Sequence, residues 1–245
     1  MSSASSVATS SVSALDRVAI LSEALPYLQR FQDKTIVIKY GGAAMKDPGL
    51  KAQVIHDVVL LRCVGMRPVL IHGGGPSINT MLSKVGIESR FIDGMRVTDA
   101  DTMEVVEMVL TGKVNKSIVS LINNAGGSGV GVCGKDGRLL AARRVANREL
   151  GYVGEVEDVN TSILNELVED GHIPVVATVA GDIESESRMK DGVSEYNVAD
   201  TMGLNVNADI AAGSIASAMN AEKLVLMTDV PGVMMDHGRF AYLHM

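Results

Sequence analysis

The sequence predicts an α/β fold with a mostly parallel central sheet covered on both faces by helices. Three observations carry that expectation. Short apolar runs rich in β-branched residues recur along the chain, helical patterns separate them, and glycines or polar groups follow where the runs end. The 245 residues, 47% of them hydrophobic, suffice for one large α/β domain or two small ones.

The elements follow in order. The opening stretch MSSASSVATSSVS holds seven serines and no acidic residue, so it cannot pack. It reads as a flexible tail or as the remnant of an organellar transit peptide, although the first arginine comes only at Arg17. Asp16 then serves as a candidate N-cap for an amphipathic helix with Val18, Leu21, Leu25 and Leu28 on one stripe. Pro26 should bend or interrupt that helix. Because the stripe precedes the first core strand, it is available for contacts between subunits. A strand over 35–39 leads to a helix around 49–64, a strand PVLIH at 68–72 and a helix from about Pro76. A strong helical pattern covers 99–126. Later, IPVVATVA (173–180) reads as a strand, 207–219 as a helix and KLVLMTDV (223–230) as a strand.

Composition narrows the function classes. A net charge of -7 argues against general binding to nucleic acid or an anionic membrane. No apolar stretch is long enough to span a bilayer. The two cysteines, Cys63 and Cys133, lack metal-site or CxxC spacing and read as buried thiols of a reducing compartment. His, Cys and acidic residues show no zinc pattern, so no protein-held metal is expected. The 14 methionines read as core fillers.

In sheets of this kind ligands gather at the carboxyl ends of the strands. TIVIKYGG places Lys39 there, followed at once by Gly41 and Gly42. The alternative for Lys39 is a snorkelling surface lysine. IHGGGPSIN (71–79) is a strand, three glycines and a helix start, where bare N–H groups and the helix dipole favour an anion. DGMRVTDA (93–100) sets Arg96 in a turn before a helix, where a guanidinium can clamp a carboxylate. TDVPGV (228–233) again follows a strand with an acid, a proline and a glycine.

Other motifs fail. Residues 129–134 match GxGxxG, but KDGRLL follows and reads as a hairpin turn, not as the helix a dinucleotide site needs. A near P-loop at the same place puts Asp136 where Ser or Thr should stand, and a carboxylate there would repel phosphates. HGGG also occurs in esterase oxyanion loops, yet the chain has no GxSxG elbow.

Phosphoryl transfer to a carboxylate fits what remains. A carboxylate is already ionised at neutral pH, so its attack on a γ-phosphoryl group needs no general base. The protein must align two anions and neutralise the spreading charge, a task for lysines, N–H groups and Mg²⁺.

The motifs IVIKYGG, IHGGGPSIN, DGMRVTDA, LGYVGEV, NVNAD and AEKLVLMTDVPGV resemble, in the same order, those of the acetylglutamate kinases of the amino acid kinase family. The likeness runs from about Asp16 to Asp236, and the wording around LSEALPYLQRF and KYGGAAM is similar to the plant and cyanobacterial branch. It implies an αβα sandwich of the amino acid kinase or carbamate kinase type. In outline, a Ser-rich tail (1–15) precedes an acetylglutamate-binding lobe (16–206) and a partial nucleotide lobe (207–245). Lys39 would stabilise the transferring phosphoryl group and Asp209 would orient the lysines. Gly41, Gly42, Gly74 and Gly75 would hold substrate and phosphates, Arg96 the α-carboxylate, and Asn205 the substrate as well. Asp229, Val230, Gly232, Val233 and Met234 would lie beside the nucleotide. The substrates implied are ATP, carrying Mg²⁺, and N-acetyl-L-glutamate. The branch further implies a homohexamer, inhibition by arginine, binding of the PII signalling protein and a chloroplast location, with the cytoplasm as the alternative.

Two departures qualify this expectation. The stretch before NVNAD is long and contains YNVAD (196–200), so Asn197 competes with Asn205 as the substrate contact; the continuing helix favours Asn205. The chain also stops at DHGRFAYLHM, before the family's GGM motif and a second phosphate-binding lysine. An incomplete nucleotide lobe is therefore expected, and with it a rival reading: a catalytically dead subunit that binds substrate or modulates an oligomer.

Overall fold

A computed structural model describes residues 13–41, 45, 47–185, 201–227, 233–235 and 239–241. The first twelve residues, Asn197, Asp229, Val230 and Gly232 lie outside them, as do Gly42 and residues 228–230 of the expected last strand.

Helix α1 (Ala14–Phe31) starts inside the stretch expected to be a tail. Its N-cap is Ser13, not Asp16: the Ser13 hydroxyl accepts from the Asp16 N–H while the Asp16 carboxylate receives the Ser13 N–H, a reciprocal capping box. The helix runs unbroken through Pro26, so the lost N–H bond is tolerated. Leu15, Val18, Ile20, Leu21, Leu25 and Tyr27 are all exposed on it, and Leu28 packs against the core.

The central sheet is built from β1 (Thr35–Tyr40), β2 (Arg67–His72), β5 (Gly129–Cys133), β8 (Ile173–Ala177) and β11 (Lys223–Leu226). Its order is β11-β1-β2-β8-β5 and every pairing is parallel. Alternation along β1 divides the core into two layers. Ile36, Ile38 and Tyr40 join one cluster with residues of α2 (Pro48–Cys63), α3 (Gly75–Lys84) and α5 (Asn115–Asn124). Val37 joins the other, with Val69, Ile71, Leu164 and Val168 of α6 (Ser162–Glu169), and Ala211, Ala212 and Ile215 of α7 (Ala208–Ala218). This period-two division is why the sheet is covered on both faces.

Three expectations need correction. IPVVATVA is two strands: β8 ends at Ala177, and β9 (Val179–Asp182) leaves the sheet after buried Thr178. There it closes a small barrel with β6 (Leu140–Arg144), β7 (Val153–Val159) and β10 (Leu204–Val206). KDGRLL is a turn but not a hairpin, because β5 belongs to the sheet and β6 to the barrel. Cys63 is exposed, while Cys133 is buried as expected.

The long helical pattern also hides a change of winding. After α4 (Ala100–Glu107), residues Met108–Val114 form a π-helix before α5 continues. Two short ribbons complete the fold: β3 (Phe91–Ile92) with β4 (Met95–Arg96), and β12 (Val233–Met235) with β13 (Arg239–Ala241).

Candidate active site

The carboxyl edge of the sheet gathers most of the described residues singled out above. Lys39, next to last in β1, lies beside Ile71 of β2 and Leu226 of β11. Its Nζ stands 3.1 Å from Asp209 Oδ1. Asp209 sits in the first turn of α7, whose N-cap Asn207 accepts from the Asp209 and Ile210 N–H groups. The lysine side chain is 13% exposed and the aspartate's 53%. Lys39 is therefore neither a snorkelling surface residue nor fully withdrawn from solvent. Gly41 follows with no side chain, and a Cβ there would stand 3.1 Å from Lys39 Nζ. Glycine leaves the ammonium its room.

On the next strand, β2 ends at His72 and passes through Gly73 and Gly74 into α3. Gly74 is the N-cap, and no side chain caps the first turn, so its N–H groups are available to a ligand. A Cβ on Gly74 would lie 2.7 Å from Leu110 Cδ2, whereas one on Gly75 meets nothing within 4 Å. The backbone at Gly74 is thus pressed against the π-helix. Beside it opens a cleft of about 180 Å³ lined by Lys51, Ser77, Lys113 and Ser117; it shares Gly74 but not Lys39, Arg96 or Asn205.

Arg96 stands in strand β4, not in a turn, and is 7% exposed. Its guanidinium donates to Asn79 Oδ1 at 2.7 Å, to Ser89 Oγ and, at 3.5 Å, to the Gly75 carbonyl. It also covers the Phe91 ring, 4.7 Å from the centroid. Burial pulls its pKa down from the ordinary value. All its hydrogen-bond acceptors are neutral: among the described residues no carboxylate pairs with it. A buried cation of this kind is costly unless an anion joins it.

Asn205, in β10, reaches the same place through Thr98. Its Nδ2 donates to Thr98 Oγ1 at 3.3 Å, and Thr98 Oγ1 donates to the Arg96 carbonyl at 2.7 Å. The segment LGYVGEV makes this possible: Thr98 N–H donates to the Leu150 carbonyl and Tyr152 N–H to the Thr98 carbonyl. The barrel is tied to the Arg96 ribbon in this way. Thr98 carries no sequence signal because, Arg96 apart, its partners Leu150, Tyr152 and Asn205 are fifty and more residues away. Val233 and Met234 belong to β12, which among the described residues pairs with β13 alone.

Comparison with known proteins decides the family. Residues 34–240 match the amino acid kinase family. The chain belongs to that family. An acetylglutamate kinase of Acaryochloris marina is 56% identical over 91% of this chain and 73% of its own. Among solved structures, smu.665 of Streptococcus mutans is 30% identical with a TM-score of 0.69, covering 84% of this chain and 76% of that one. The N-acetylglutamate synthase of Neisseria gonorrhoeae, solved with coenzyme A and N-acetyl-glutamate, superposes with a TM-score of 0.71 at 23% identity. The overlap takes in 90% of this chain and 47% of that one, and shows a shared fold. In this chain the parallel sheet carries its cationic and glycine-lined strand ends along one edge.

Proposed function

We propose that the chain is an acetylglutamate kinase, transferring the γ-phosphoryl group of ATP to the side-chain carboxylate of N-acetyl-L-glutamate. The products are ADP and N-acetyl-L-glutamyl 5-phosphate, an intermediate of arginine biosynthesis. The observation that carries the assignment of substrate class is Arg96: a buried guanidinium held by neutral acceptors, beside the Gly75 turn and linked through Thr98 to Asn205. A substrate α-carboxylate supplies the missing anion.

The transfer then needs little covalent help from the protein. The acceptor oxygen attacks phosphorus as the bond to the β-phosphate oxygen breaks, and no proton is moved. Lys39 meets the negative charge that spreads over the equatorial oxygens, and Asp209 holds its ammonium in place. The N–H groups around Gly74 and Gly75 bind the anions from the opposite side, and Gly41 gives the phosphates access to Lys39. Among the described residues no group of three or more His, Cys, Asp or Glu converges on one point. In this proposal Mg²⁺ is carried in by the nucleotide, where it would offset phosphate charge. Gly42, Asp229, Val230 and Gly232 complete the proposed nucleotide side together with Val233 and Met234. The lobes, 16–206 for acetylglutamate and 207–245 for part of the ATP site, belong to the same proposal.

A hydroxamate assay for acyl phosphate tests it directly. Product should form only with both ATP and acetylglutamate. Its absence with these substrates, or equal product with glutamate, would overturn the assignment.

Further proposals concern assembly and control. The exposed apolar residues of α1 support a homo-oligomer, up to the hexamer of similar enzymes. Replacing Leu21 and Leu25 by serine should lower the mass found by light scattering; an unchanged mass would remove α1 from the interface. Arginine inhibition, PII binding and a plastid location rest on the likeness to the plant and cyanobacterial branch, and titration calorimetry with arginine or PII tests the first two. Among the described residues no helix is long and apolar enough to cross a membrane.

A further inference from the structure

Two buried polar side chains lie directly behind the Gly74–Gly75 turn and take no part in the transfer described above. His72 is 0% exposed and Asn115 is 1% exposed. His72 Nδ1 lies 2.9 Å from the Gly73 carbonyl oxygen, and its Nε2 lies 3.1 Å from Asn115 Nδ2. Asn115 Nδ2 also faces the carbonyls of Val175, at 2.8 Å, and Val132, at 3.3 Å.

These contacts determine the protonation of both groups. A carbonyl can only accept, so Nδ1 carries the imidazole proton and donates to Gly73. Asn115 faces two further carbonyls and so turns its NH₂, not its oxygen, to this side; its two hydrogens are shared among three acceptors, of which Nε2, facing a donor, is one. The ring is therefore neutral and in the Nδ1–H tautomer. Burial agrees, pushing the His72 pKa down to about 4.

The π-helix supplies the other half of the arrangement. Asn115 follows it directly, and its N–H donates to the Leu110 carbonyl five residues back. Leu110 and Val114 of the same turn are the side chains that a Cβ at Gly74 would strike. One wide turn thus presses on Gly74 and presents Asn115 to His72. Ordinary α winding would rotate Asn115 away from that position, and such turns are rare except where a site needs them. The cost is visible: Asn115 Oδ1 is buried without a hydrogen-bond partner among the described residues.

We propose that His72, Asn115 and the π-turn 108–114 form a positioning device that fixes the Gly73 peptide and so aims the N–H groups of the Gly74–Gly75 turn. It rests on reading that turn as the anion-binding part of the kinase site. His72 and Asn115 touch no substrate; they act through the backbone they hold.

The first measurement needs neither a variant nor activity. Imidazole ¹⁵N shifts of the full protein between pH 5 and 8 should show His72 as the Nδ1–H tautomer, unchanged across the range. An Nε2–H tautomer, or a midpoint near 6.5, would overturn the proposal. The second uses side-chain geometry. His72→Asn keeps a donor near the Nδ1 position, His72→Gln keeps only the Nε2 position, and Asn115→Leu removes the amide.

We expect His72→Asn to stay within about threefold of wild-type kcat. His72→Gln and Asn115→Leu should lose roughly tenfold to a hundredfold in kcat, with a smaller change in KM for acetylglutamate, since about 1 Å of misplacement has that effect. The double variant should lose less than the product of the two. Equal losses in the Asn and Gln variants, or multiplicative losses in the double variant, would show that the pair does not act as a unit. If the wild-type protein forms no acyl phosphate, the kinase reading fails separately. The tautomer, and amide exchange at Gly74 and Gly75 in Asn115→Leu, then still decide the positioning role: faster exchange supports it and unchanged exchange overturns it.

Discussion

The ends of the neighbouring strands β1 and β2 lie side by side but are built in opposite ways. Behind β2, everything is buried and held several times over: His72 by Gly73 and Asn115, Asn115 by two carbonyls, and Gly74 by Leu110 and Val114. At the end of β1, one ammonium meets one half-exposed carboxylate across 3.1 Å, and Gly41 clears space around it. The contrast matches two tasks. Backbone N–H groups stabilise an anion only if they are aimed beforehand, so their support must be rigid. In the proposed transfer one ammonium meets the spreading charge, and one carboxylate is enough to hold it in place.

The largest expected effect breaks the lightly held side. Lys39→Ala should reduce kcat by roughly 2–4 kcal/mol of transition-state stabilisation while leaving acetylglutamate KM much less affected. Steady-state kinetics in the full enzyme checks this. A near-wild-type kcat would end the role assigned to Lys39.

A pH experiment addresses the rigid side. His72 has an ordinary value of 6.5 in the unfolded chain and about 4 when folded. Between those values the unfolded state binds the extra proton, so stability falls as the pH drops through that window. Above 6.5 both states are neutral and nothing is lost. The full difference corresponds to about 3 kcal/mol. Urea unfolding at pH 7 and pH 4.5 should therefore show wild type losing more than His72→Asn by most of that amount. Parallel pH profiles would mean that His72 is not held neutral.

The end of β1 and the glycine turn after β2 were legible in the sequence, and the buried support behind that turn was not. A lysine closing an apolar run before two glycines is a local signal, and so is a Gly-rich turn opening a helix. Arg96 stood out as a guanidinium placed before a helix, whereas Asn205 came through resemblance, and the structure adds Thr98 as the link between them. His72 and Asn115 are 43 residues apart, and their pairing depends on a winding change that leaves the apolar periodicity of 99–126 looking like one α-helix. The split at Thr178 was invisible for a related reason: a buried strand and its continuation into a second sheet share one apolar run. At α1, Ser13 and Asp16 are both good caps, and only the observed reciprocal pair shows which comes first.

A glycine pair sharpens the comparison further. Gly74→Ala drives a methyl group against Leu110 and Val114, both buried, and should cost about 1–3 kcal/mol of stability. Gly75→Ala meets open space and should stay within about 0.5 kcal/mol. Thermal or urea unfolding of the two variants reads the difference. Equal costs would mean that the turn is not pressed on the π-helix.

The smallest expected effect lies with Asp209. Its side chain is 53% exposed, so solvent screens the pair with Lys39 and the pair alone should contribute less than about 1 kcal/mol. Its place in the first turn of α7 adds a favourable interaction with the helix dipole of about the same size or less. Asp209→Asn keeps the shape and the helix start, which depends on Asn207 rather than on Asp209. We therefore expect nearly unchanged unfolding in urea but a clear loss of kcat, because the ammonium of Lys39 is no longer drawn to one place. A stability loss of about 3 kcal/mol would show the end of β1 to be as firmly built as the end of β2. It would also remove the reason for calling one side lightly held and the other rigid.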